Sequence, residues 1–115
     1  MQLEAKKYVQ DMENALALLS TFVSGKSLAD YLNDPLLQSA VERQFEIIGE
    51  ALGKLAKIDP GAASQITDFR RIIAFRNILI HGYAEIDDQL VWDIVETQIP
   101  VLKRDIAKLG AGQSH

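Results

Sequence analysis

No cysteine occurs in the 115 residues, which excludes disulfides, thiol catalysis and Cys-ligated zinc and fits a reducing cytosol. Histidine is nearly as scarce. His81 and the terminal His115 are the only two, and neither stands in a His-Glu-x-x-His pattern or beside a paired acidic loop, so no metal and no cofactor is expected. Long apolar runs are missing as well: no window approaches the ~20 apolar residues of a membrane span. The N-terminal stretch MQLEAKKYVQDMENALALL carries charges of both signs through its apolar positions and lacks the uninterrupted core of a signal peptide. A soluble, cytoplasmic protein is the expectation.

Positive charge is also in deficit. Twelve Lys and Arg face sixteen Asp and Glu, a formal net charge of -4, so the average field of the molecule does not attract nucleic acid. Locally the balance reverses. From Phe69 to Ala84 the chain holds Arg70, Arg71 and Arg76 and no carboxylate. If the protein meets RNA, that is where contact is expected, with Arg70 and Arg71 as backbone-binding candidates.

What the sequence does have is helical periodicity, with no strand-like alternation and no repeat. Hydrophobic residues make up 48%, a globular share, and the length suits one domain, over residues 1–110, with 111–115 as a flexible tail. Leu3, Tyr8, Met12, Ala15, Leu16, Leu19, Phe22 and Val23 recur at three- and four-residue steps as one helix face. Gly25 is a plausible stop. Residues 26–33 can add a short helical turn that packs Leu28 and Tyr31 inward. Asn33-Asp34-Pro35 then opens a second long helix, to about Ile58, in which Leu37, Val41, Phe45, Ile48, Leu52 and Leu55 form the buried stripe. Gly49 interrupts that helix, and its cost of about 1 kcal/mol relative to Ala points to close approach by another helix. Asp59-Pro60-Gly61 reads as a turn, and a third helix as Ser64 to Ile80, ended by Gly82. Asp87 or Asp88 is placed as the cap of a fourth helix, which Pro100 is expected to kink or divide. The predicted architecture is all-α, an antiparallel four-helix bundle.

The third helix is the anomaly. Ile66, Phe69, Ile72, Ile73, Leu79 and Ile80 form a broad apolar face on a helical wheel, and Arg76 falls inside it. An Arg buried there must reach an acid, a carbonyl, solvent at a cleft or a ligand, or else pack its stem and hold its head at the rim. Arg70, Asn77 and His81 form a second, polar stripe, within about 40° of one another. Phe75 and Ile78 occupy a further side, apolar and facing away from the core, which a second subunit would cover. His81 either satisfies carbonyls at the helix end or moves protons. It lies about 140° from Arg76 on an ideal helix, so a shared site needs the helix to unwind near Gly82 or a second chain to contribute. Glu46 and Glu50 read as solvated charges.

The run Arg76-Asn77-x-x-x-His81-x-Tyr83 resembles the Arg-x-x-x-x-His-x-Tyr motif of HepT-like toxins in the HEPN superfamily. AVERQFEIIGEAL (40–52) resembles the second long helix of that family, and VWDIVETQIPVLKRDI (91–106), with its internal proline, resembles the last one. The resemblance implies a homodimer whose two motifs face one cleft, acting as a metal-independent endoribonuclease on an RNA substrate such as tRNA or mRNA. It assigns Arg76 to the scissile phosphate, His81 to proton transfer for attack by the 2′-hydroxyl, and Asn77 to orienting the pair. Tyr83 matches the tyrosine to which a partner, an MntA-like minimal nucleotidyltransferase antitoxin, transfers AMP. The alternative of a different class is a non-catalytic helical subunit that binds substrate for, or scaffolds, such a nucleotidyltransferase.

Overall fold

The computed structural model describes residues 1–82 and 86–111. It is all-α: α1 (Leu3–Val23), α2 (Leu28–Leu32), α3 (Pro35–Ile58), α4 (Pro60–Ala63), α5 (Phe69–His81) and α6 (Asp88–Ala111), with no strand among the described residues. No helix among them is long and apolar enough to cross a membrane.

Local chemistry explains most of the boundaries. Ser27 and Asp30 form a reciprocal capping box at α2: Asp30 N donates to Ser27 Oγ at 3.2 Å and Ser27 N to Asp30 Oδ2 at 2.9 Å, so two otherwise orphaned amides are satisfied. Asp34 caps α3 by accepting from Leu37 N at 3.1 Å, with Pro35 at the first helical position, where a missing N–H costs nothing. Asp87, rather than Asp88, caps α6, its Oδ1 accepting from Gln89 N and Leu90 N at 3.1 and 3.2 Å.

Three sequence expectations change. Asp59-Pro60-Gly61 is a helix start and not only a turn, because Asp59 Oδ1 accepts from Ala62 N at 3.1 Å and opens α4. The third long helix begins at Phe69 and not near Ser64: Asp68 adopts φ 56°, the left-handed region, and breaks the run that periodicity alone would extend. Pro100 does not divide the last helix, which runs unbroken through it. Pro100 is exposed, so the Glu96 carbonyl that it leaves without an amide partner lies on the side that water can serve.

The core gathers α1, α3 and α6. Met12, Leu19, Val41, Ile48, Leu52, Leu55, Leu102 and Ile106 are almost fully excluded from solvent. Tyr31 joins them, its ring 5.3 Å from that of Trp92. Helix α5 packs chiefly on α3 and only sparsely on α6. One link across that gap is Thr67 N, just ahead of α5, which donates to Asp105 Oδ2 of α6 at 2.9 Å. The helix that carries the unusual polar residues therefore lies at the edge of the core.

Candidate active site

Arg76 sits where α5 crosses α3 at Gly49. A Cβ built on Gly49 would collide with Arg76 Cβ and stand 2.8 Å from Arg76 Cγ. The glycine is therefore a steric requirement of the arginine: its bare backbone makes the channel through which the aliphatic stem passes. The stem packs and the head emerges at the rim. Nε is buried without a hydrogen-bond partner, while Nη1 donates to Asn77 Oδ1 at 3.1 Å. The side-chain ion pairs among the described residues join Arg43 to Glu46, Lys54 to Glu50 and Arg104 to Asp105. None reaches Arg76, so among the described residues no carboxylate is paired with its guanidinium.

An open groove of 490 Å³ lies beside Arg76 and Asn77, walled by Ile73 on α5 and floored on α3 by Gly49 and Gly53, with Glu50, Lys54 and Lys57 along its edge. Gly53 and the two lysines did not stand out in the sequence. The available signal was the four-residue interval between Gly49 and Gly53, which puts both on one face of α3.

The remaining sequence candidates are dispersed. His81 is exposed and is the last residue of α5. The helix stays regular up to it, so the unwinding that would swing it toward Arg76 is absent. Gly82 caps the helix with φ -73°, and a Cβ there would strike the Ile78 carbonyl oxygen. Arg70 is exposed, with its guanidinium carbon 5.0 Å from the centre of the Phe69 ring. Arg71 belongs to a different pocket of 210 Å³, lined by Phe45, Ile72, Phe75 and Ile94. Tyr83 lies outside the described residues.

The apolar side of α5 also needs correction. Phe75 does not face away from the core: its ring meets that of Phe45 edge-on at 5.4 Å and 77°. Ile78 remains 58% exposed, and Ile80, expected inward, is 39% exposed.

The fold and site define a helical protein in which Arg76, hydrogen-bonded to Asn77 and in no ion pair among the described residues, stands at the rim of an open groove, a constellation suited to a phosphate. The chain belongs to the family described as "Ribonuclease HepT-like", whose profile matches residues 12–109. It is 33% identical to a "Probable ribonuclease HepT" of Thermococcus cleftensis, over 95% of this chain and 98% of that protein. It is also 31% identical to a "Gamma-glutamylcyclotransferase and putative RNase" of Methanocaldococcus jannaschii, over 95% of this chain but only 49% of that protein, of which it spans about half. No solved structure matches the chain significantly.

Proposed function

We propose that the protein is an endoribonuclease, the toxin of a toxin–antitoxin pair, that cleaves RNA through its own 2′-hydroxyl without a metal. The observation that carries this reading is Arg76, its stem packed over Gly49 and its guanidinium hydrogen-bonded to Asn77 and in no ion pair with a carboxylate among the described residues. A scaffold gains nothing from leaving a cation in that state, whereas a phosphate-binding site requires it.

In the proposed reaction the 2′-oxygen attacks the adjacent phosphorus and the bond to the 5′-oxygen breaks, leaving a 2′,3′-cyclic phosphate and a 5′-hydroxyl. A base takes the 2′-hydroxyl proton and an acid returns one to the departing 5′-oxygen; His81 fills this proton-transfer role. Arg76 neutralises charge that grows on the phosphate, and Asn77 restrains Arg76. Since α5 is regular through His81, Arg76 and His81 of one chain diverge by about 140° around it. The reading therefore pairs two chains in a homodimer, with Arg70 and Arg71 outside the centre as contacts for RNA. Transfer of AMP to Tyr83 by a minimal nucleotidyltransferase antitoxin would add bulk and negative charge next to that cleft and repel substrate.

The test is cleavage of a tRNA and mRNA pool in excess EDTA, with intact mass confirming that Tyr83 is unmodified. Wild type should cut, and His81→Ala should lose roughly 100-fold or more in rate. Wild type and variant equally inert, with Tyr83 unmodified, would transfer the reading to a non-catalytic subunit of the nucleotidyltransferase.

A further inference from the structure

We propose that the groove beside Arg76 is a second phosphate subsite, in which Lys54 and Lys57 hold the backbone of single-stranded RNA flanking the bond to be cut. This rests on the ribonuclease reading and extends it to a surface of α3 outside the Arg76–His81 motif.

Gly53 supplies the first argument. It is helical, so no unusual backbone angle demands a glycine, and a Cβ built on it meets nothing within 4 Å. Gly49 is explained by the Arg76 stem, but no contact among the described residues explains Gly53. A glycine inside a helix costs about 1 kcal/mol relative to Ala, and here no internal contact offsets it. The space that it leaves open is the floor of the 490 Å³ groove.

Charge supplies the second argument. Arg76, Lys54 and Lys57 border the groove against a single carboxylate, Glu50, which already lies 3.3 Å from Lys54. Lys57 is exposed and takes part in none of the ion pairs among the described residues. In a chain of net charge -4, this local surplus suits a polyanion. Lys57 is eight residues beyond Gly49, about 12 Å along the helix axis. A strand held at Arg76 would thus run along α3 and meet the lysines with its next phosphates, and the bare backbone at Gly53 lets it lie close.

The experiment compares wild type, Lys54→Gln/Lys57→Gln and Gly53→Gln on a single-stranded oligoribonucleotide across a salt series. It reads kcat, KM and binding of the uncleavable 2′-O-methyl analogue. Loss of both lysines should raise KM roughly tenfold with kcat retained, and flatten the slope of log affinity against log salt by about 1.4. Gly53→Gln should raise KM by filling the groove while its melting temperature holds or rises, since a helix-breaking glycine is removed. Unchanged KM and slope in both variants, with wild type cleaving, would overturn the subsite and leave the ribonuclease reading standing. Dissociation of a dimer by Gly53→Gln would also overturn it, assigning the groove to protein contact. Wild type that neither cleaves nor binds RNA would remove both.

Discussion

Two glycines four residues apart on α3 do opposite work. Gly49 is packed against the Arg76 stem, while the space over Gly53 is open. Gly49→Ala gains about 1 kcal/mol of helix propensity but overpacks a site where such insertions cost roughly 1–3 kcal/mol. It should destabilise the protein in urea unfolding and displace the guanidinium, lowering cleavage. Gly53→Ala has no steric cost and should stabilise by roughly 0.5–1 kcal/mol. Equal shifts for both would contradict the packing described for Arg76. The sequence showed Gly49 as an interruption of a good apolar stripe, so its role was legible. Gly53 was not, because an open groove leaves no mark on periodicity.

At the scale of elements, α5 is held chiefly by α3, and Asp105 links the residue just ahead of it to α6. Burial alone would raise the Asp105 carboxyl. The hydrogen bond from Thr67 N, together with Arg104, outweighs that and holds it below the ordinary range. A depressed pKa in the folded state means that the stabilisation is complete above the unfolded value, about 3.9, and is lost as pH falls through the lower folded value. Asp105→Ala should cost about 1–3 kcal/mol at neutral pH, since it strands the Thr67 amide. Asp105→Asn should flatten the loss of stability below about pH 4; an unchanged acid limb in denaturant titrations would show that other carboxylates dominate. Glu42 acts in the opposite sense. Burial first, then Asp88 and Glu46, push its carboxyl up, so its penalty is present above the raised folded value and is relieved as pH falls through that value toward the unfolded one, about 4.3.

At the scale of the whole molecule, the separation of Arg76 from His81 around one helix makes assembly part of the proposed chemistry. Ile78 stays largely exposed close to the motif, and a facing copy would bury it. Ile78→Asp should shift the mass in light scattering from dimer to monomer and abolish cleavage while leaving helicity by circular dichroism intact. A monomeric wild type that still cleaves RNA would refute the two-chain site. With the molecule negative overall, the proposed contact with RNA depends on local cations rather than on the average field.

The sequence by itself determined the all-α class, the span Pro35–Ile58, the inward Tyr31 and the isolation of Arg76 on an apolar face, because helical period and capping chemistry are local. The onset of α5 was decided by one left-handed residue, Asp68, which no pattern of apolar spacing encodes. Tertiary packing alone turned Phe75 toward Phe45, left Ile80 at the surface and brought Arg76 across Gly49. The reason is the same in each case. Periodicity says which side of a helix is apolar, but only the position of the neighbouring helix decides how far around that side the core extends and which polar head finds an opening at its edge.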